Sequence, residues 1–287
     1  MKLTRMLVLL IMGLCGCQWI PGLNPTPPTT RPTSVTLTVS QPPVTTTAPP
    51  ATLRVPSATA RSVPSGTAFP AGPLILASKD LTLSNVKPPY EIKIHYPEFA
   101  GATAAGLLAF NAEAKKQAQD LLAGFQEDFQ QAQPLPDPNI AMGSFMETNY
   151  SVTYGQHGLL SVLFTVGFYA SGAAHPNSFA QVINFDLIHG KKLELAELFL
   201  PGSAYLKAVS DACSADLKQR ERLYFAEGAL PTADNYKNWN ITAQGLQFSF
   251  DPYQVAAYAM GPSLVTLPYP SLKTLLKADG PLAVLLK

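Results

Sequence analysis

The residues of this sequence with chemistry to offer are a few thiols, four imidazoles and scattered carboxylates, and their spacing decides what each is able to do. Cys17 closes Leu14-Cys15-Gly16-Cys17, which follows the apolar run Met6 to Leu14 and the basic Lys2 and Arg5. This is the layout of a lipoprotein signal peptide: small Gly16 precedes a thiol able to take a diacylglyceryl group. A register using Cys15 would put bulky Leu14 before the cleavage point, where a small side chain is needed. The apolar run is also far below the roughly 20 residues a spanning helix requires. Cys17 is therefore the expected lipidated N-terminus, after removal of residues 1–16. Of the three cysteines only Cys213 belongs to the rest of the chain, so no intramolecular disulfide is expected. It falls in step with Leu206, Val209 and Leu217, the stripe of a buried helix face, which marks it as an inert core thiol.

The histidines, His95, His157, His175 and His189, form no spaced pair. Zinc wants three or four ligands, and His175 with Asp186 and Glu147 is a speculative set, so no metal and no cofactor are expected. Ser171, His175 and Asp186 include the residue types of a triad. Ser171 and His175, however, share one short loop without the strand-turn-helix context that exposes a nucleophile beside an oxyanion hole. Glu194 and Glu197 are close enough for paired-carboxylate chemistry, yet helix capping or a solvated face explains them more simply. The best local site candidate is the loop Gly172 to Asn177 with its flank, namely Tyr169, Gly172, His175, Pro176 and Asn177. Small residues let the backbone turn, His175 donates and accepts, and Tyr169 and Phe179 offer aromatic area to a partner. A structural role fits the same residues, with His175 bonding a backbone carbonyl to fix the turn and the aromatics packing in the core.

These side chains need elements to hold them. Residues 17–78 supply none: the stretch is rich in Pro and Thr, carries Arg31, Arg54 and Arg61, and has no acidic residue. Proline removes donors and Thr brings little apolar area, so a disordered, extended tether is expected. From Lys79 onward, 15 basic residues stand against 19 acidic ones, a net charge of −4 that argues against nucleic acid as a partner. Short alternating runs at Leu81–Val86 and Tyr90–Tyr96 predict strands. The apolar spacing of Leu107, Phe110, Ala114, Ala118, Leu121, Phe125 and Phe129 predicts an amphipathic helix, stopped by the prolines at 134, 136 and 138. A strand meander follows over Phe145–Tyr154, Leu159–Tyr169 and Phe179–Leu187. His189-Gly190 then turns the chain into a short arm, Lys191–Leu195. A helix is expected at about Ser203–Glu227, strands at Trp239–Thr242, Leu246–Phe250 and Leu264–Leu267, and a terminal helix capped by Ser271 through Leu276. The class expected is α+β: antiparallel sheets with helices packed on one side, as two interlocked subdomains over 79–140 and 141–287.

Several separated stretches then carry a resemblance. Pro89-Tyr90-Glu91-Ile92-Lys93-Ile94 with Tyr96-Pro97 and the helix bearing Asn111 resembles a small uncharacterised extracytoplasmic domain of bacterial envelope proteins. Tyr169 to Asn177, Asn184-Phe185-Asp186-Leu187, Gly190-Lys191 and Glu197-Leu198-Phe199 are similar to the central signature of its usual C-terminal companion. Phe250-Asp251-Pro252-Tyr253-Gln254-Val255-Ala256 with Tyr258-Ala259-Met260-Gly261 resembles that companion's closing motif. The resemblance implies a location outside the cytoplasm and a style of action. In relatives the pair forms the outer part of membrane-bound anti-sigma factors that bind lysozyme, or accompanies a peptidoglycan deacetylase domain. The expectation is a non-enzymatic binding module, anchored to the bilayer of a bacterial cell membrane through Cys17, that holds a lysozyme-like protein or peptidoglycan. A cell-wall hydrolase or deacetylase accessory enzyme is the alternative, and a structural envelope spacer a third. An exposed His175 between two carboxylates would favour the enzyme; a flat aromatic patch would favour protein binding.

Overall fold

The computed structural model describes residues 52–53, 74–131, 143–220 and 224–286, all within one compact unit. Cys17 and the signal peptide lie outside the described residues, as does the proline cluster at 134–138. The first layer is a seven-stranded sheet in sequence order: β1 (Thr52–Leu53), β2 (Leu74–Val86), β3 (Pro89–Phe99), β4 (Ser144–Gln156), β5 (Leu159–Tyr169), β6 (Asn177–Asp186) and β7 (Lys191–Lys192). Folded chain starts earlier than Lys79: β2 begins at Leu74, and Leu76 is buried opposite Phe99. Every pairing is antiparallel except β3 with β4, which run parallel from Tyr90–Ser144 to Ile94–Thr148. Parallel neighbours need a long crossover, and α1 (Ala105–Gln131) supplies it between them. The boundary expected at 140 is outside the described residues, but the strands flanking it sit side by side in this one sheet.

Helix α1 lies on one face of the sheet because its apolar residues recur at three and four: Leu107, Phe110, Ala114, Ala118, Leu121 and Phe129 are buried. They meet Ile92, Ile94, Met146, Val162, Phe164, Val166, Ile183 and Phe185 in a first core. Phe110 is fully buried, edge-on to Phe99 and Phe185 with centroids 5.4 and 5.6 Å away. Burial of such a ring contributes about 1.5–3 kcal/mol. Gly106 lets the helix start touch the sheet, since a Cβ there would stand 1.8 Å from the Leu187 carbonyl oxygen.

Successive strand residues point to opposite faces, and the other face of β4–β6 carries a second layer. Here helix α2 (Tyr205–Arg220) and the small sheet β10–β9–β8 (Ser263–Pro268, Gly245–Phe250 and Trp239–Ile241) close over Leu159, Leu193, Leu198 and Phe199. Helix α1 covers one side of the main sheet, and α2 belongs to the second core, where it packs against β10. That core takes Val209, Cys213 and Leu217 from α2, the predicted stripe, together with Trp239, Phe248 and Phe250. A register shift between Val152 and Tyr154 marks a β-bulge in β4. It turns Tyr154 into the second core while Val152 still packs against the first.

The layers are joined by buried polar groups. Ser161 Oγ donates to Asn184 Oδ1 at 2.6 Å and accepts from Asn240 Nδ2 and the Ile241 amide, and Asn184 Nδ2 donates to the Trp239 carbonyl at 2.7 Å. Two sequence-based bounds change. Helix α2 ends at Arg220, short of Glu227, and after it the Phe225 amide bonds the Val255 carbonyl. The terminal helix is a single turn, Tyr269–Leu272, begun at Pro268; Ser271 sits inside it and donates back to the Pro268 carbonyl instead of capping.

Candidate functional site

The loop between β5 and β6 turns at Gly172, whose φ of 95° suits glycine. The Ala173 amide closes on the Ala170 carbonyl, and the Ser171 amide on Ser144 Oγ. Asn177 then takes the Ser178 amide on its own side-chain oxygen as the strand begins. His175 stands exposed at the loop's outer side. Its Nδ1 lies 2.8 Å from the Pro176 carbonyl. A carbonyl only accepts, so Nδ1 carries a proton toward it, and Nε2 faces Tyr253 Oη at 3.4 Å.

Tyr253 and Tyr258 come from the far end of the chain, in the segment 251–261 after β9. The His175 and Tyr258 rings stack at 4.0 Å, Tyr258 and Tyr253 at 5.3 Å, and His175 and Tyr253 at 6.5 Å, with planes 27–28° apart. These distances close a triangle with its corner at Tyr258, so the rings form a bent plate and not a column. Tyr258 Oη also donates to the Pro176 carbonyl at 2.5 Å, which thus receives the two rings of its own stack. Tyr253 is 54 % exposed and holds a left-handed φ of 70°, uncommon for a residue with a side chain.

The tyrosine segment is fastened from beneath. Asp251 Oδ1 accepts the Ala180 amide of β6 at 2.7 Å. Burial pushes this carboxyl above the usual aspartate range, while the Ala180 bond and Lys237 pull the other way. Gln254 accepts the Asp251 amide and donates to the Gly228 and Asn235 carbonyls at 3.0 and 3.1 Å. Gly228 is obligatory in this contact, since a Cβ there would lie 1.7 Å from the Gln254 carbonyl oxygen. Val255 and Ala256 are buried behind the plate.

Of the predicted loop residues, His175 and Pro176 join this surface directly, Gly172 and Asn177 shape the turn, and Tyr169 departs from the surface role. It ends β5 opposite Phe145, stacks on that ring at 5.9 Å and is buried. Phe179 likewise packs with Phe125 and Phe168. The speculative ligand and triad sets do not assemble. Asp186 instead accepts the amides of Ile188 and His189 and holds His189 Nδ1 at 2.6 Å. Glu147 points outward from β4, and no group of three metal-ligating side chains occurs among the described residues. Glu197 takes the Glu194 amide and Lys191, and these bonds lower its pKa, a capping arrangement as expected. Cys213 is fully buried, which pushes its thiol up to about 12. Tyr253 and Tyr258 were visible only as letters of a motif; nothing in the spacing joins them to a loop some 80 residues upstream.

Comparison with known proteins follows the two motif groups. Residues 83–178 match the family described as "Deacetylase PdaC", and residues 196–270 the family described as "Protein of unknown function (DUF3298)". The Peptidoglycan-N-acetylmuramic acid deacetylase PdaC of Bacillus subtilis (strain 168) is 21 % identical over 201 residues, 68 % of this chain and 41 % of that protein. The chain thus spans well under half the length of this relative. A DUF3298-family structure from Bacteroides fragilis NCTC 9343 is similar with a TM-score of 0.49 and 19 % identity, covering 74 % of this chain and 96 % of that one. Another, from Pseudomonas aeruginosa PAO1, has a TM-score of 0.49 and 18 % identity, covering 70 % and 94 %. The chain is an α+β protein, and no helix among its described residues is long and apolar enough to cross a membrane.

Proposed function

We propose that this chain is a non-enzymatic binding module of the bacterial cell envelope, anchored through a lipid on Cys17, and that the plate of His175, Tyr258 and Tyr253 is where it meets its partner. The observation that carries this reading is the plate itself: three aromatic rings held at a surface by bonds that fix them before any ligand arrives. Rigid aromatic area buries well at little entropic cost, which is why such rings anchor interfaces. The match to a deacetylase-named family supports a cell-wall setting. Between the two envelope components, a basic lysozyme-like protein suits the net charge of −4 over residues 79–287, and wall glycan is second. An enzymatic reading, as a hydrolase or deacetylase accessory, draws on the relative's printed name and would use His175 with a nearby acid for general acid–base work.

Surface-plasmon measurements on the chain carrying Cys17→Ala, against basic lysozyme and against purified peptidoglycan, test the proposal. Micromolar or tighter lysozyme binding is expected, with an on-rate that falls between low and physiological salt. No binding of either at about 100 μM would remove the reading. Release of acetate or of sugar fragments from peptidoglycan would replace it with the enzymatic one. The anchor has its own check, since mass measurement of the mature N-terminus should find acyl chains on Cys17 and processing blocked by Cys17→Ala.

A further inference from the structure

Resting on that reading of the plate, we infer that what the plate receives is a cationic side chain, a lysine or arginine of the partner, and that Tyr253 is the receiving ring. A ring face carries partial negative charge and attracts a cation over its centre. Tyr253 presents such a face: it is more than half exposed, and its hydroxyl is tied to His175. Among the described residues the chain's own cation over a ring is Lys218 on Tyr224, so none of the described cations takes the plate.

The surroundings point to the same sign. Gln254, next to Tyr253, is bonded to the carbonyls of Gly228 and Asn235, which brings the segments bearing Glu227 and Asp234 beside Asp251. Among the described residues, Lys237 is the base that acts on Asp251. Met260, 49 % exposed two residues beyond Tyr258, offers apolar surface for the methylene stem that a lysine or arginine brings with its charge. A neutral sugar gains from the flat rings and its hydroxyls donate to carboxylates, but it brings no charge of its own, so charge is what separates the two ligand classes.

The test uses the full chain with Cys17→Ala, with circular dichroism and melting to confirm each variant's fold. Tyr253→Phe keeps the ring face and should bind basic lysozyme within about twofold of the parent, whereas Tyr253→Leu, apolar without a ring, should lose about tenfold. Lysozyme with its lysines acetylated and its arginines blocked by a dicarbonyl reagent should lose binding by a similar factor, and guanidinated lysozyme, which keeps its charge, should not. Equal binding by Tyr253→Leu, or by the doubly blocked lysozyme, overturns the inference and leaves the wider reading intact. Hexalysine separates the two cases where lysozyme itself fails to bind. Its affinity should fall with Tyr253→Leu, and a hexalysine affinity indifferent to that change overturns the cationic role. Chitotetraose serves as the sugar arm, and tighter binding of it than of hexalysine at low salt also overturns it.

Discussion

The first core and the second are built differently although they share strands β4 to β6. The first is long strands and one long helix, with apolar residues at regular two- or three-and-four-residue spacing from Ile92 to Phe185. The second gathers short strands, single helical turns and α2 around aromatic residues, and is joined to the first by buried Ser161, Asn184 and Asn240. Regular periodicity makes a scaffold; the irregular half supplies the loop that carries Tyr253 and Tyr258. The candidate site lies where a loop of the one meets a loop of the other, so its geometry depends on both and on their joint.

Two alanine substitutions of the same kind would break this comparison most severely. Gly106→Ala pushes a Cβ into the Leu187 carbonyl and must lift α1 from the main sheet. A loss above about 4 kcal/mol, or failure to fold, is expected. Gly228→Ala drives a Cβ into the Gln254 carbonyl by nearly the same overlap, yet that carbonyl belongs to the tyrosine loop. Its expected result is a folded protein with a smaller drop in melting temperature and weakened partner binding. Should Gly228→Ala unfold the chain as Gly106→Ala does, the second half would be as much scaffold as the first.

Next in size is the joint. Asn184 is 1 % exposed, and Asn184→Ala leaves the Trp239 carbonyl and Ser161 Oγ short of partners in the interior. A buried pair of such losses costs about 2–4 kcal/mol, read by urea unfolding. The informative part is the shape of the transition. One cooperative step of lower midpoint means the cores still unfold together, while two steps would mean that this network alone had coupled them.

The same contrast explains what the sequence discloses. The α1 stripe and the nearly all-apolar β5 are readable because most residues' roles follow from their spacing, and Leu159–Tyr169 is β5 to the residue. The parallel pairing of β3 with β4 is not, since partner choice depends on the crossover and not on either strand. Nor does alternation reveal that Leu159, Ser161 and Asn184 face a second core, because a strand covered on both faces has no polar side to mark. His175 was legible as a turn-fixing imidazole. Its tyrosine neighbours were not, because no local rule ties position 175 to 253 and 258.

A gentler probe is the pH dependence at Asp251. Burial raises its folded pKa above the unfolded value, so the folded state binds the proton more tightly. Stability therefore falls as pH rises through the window between the unfolded and folded values, and the burden of a buried charge persists above it. Asp251→Asn keeps an oxygen for the Ala180 amide and sheds that charge. At neutral pH the variant should be as stable as the parent or more so, and the parent should gain on it as pH falls through that window. Paired thermal melts across pH 3–7 would show it, and a parent that loses ground on acidification would contradict the sign.

The smallest expected signal comes from Cys213, and it sharpens the comparison without disturbing either core. Its thiol is fully buried in α2, and burial pushes its pKa up to about 12, so neither access nor thiolate is provided in the folded state. Alkylation requires opening of the second core. In a chain with Cys15→Ala and Cys17→Ala, Cys213 is the single thiol, and its labelling reports that core alone. Far-UV circular dichroism, in contrast, is weighted toward the long strands and α1 of the first. With the layers locked by Ser161, Asn184 and Asn240, the two signals should rise together across a urea titration, and labelling below the transition should be very slow. Labelling that runs ahead of the dichroism change, abolished when a ligand occupies the tyrosine plate, would instead mean that the irregular half opens by itself and that binding closes it.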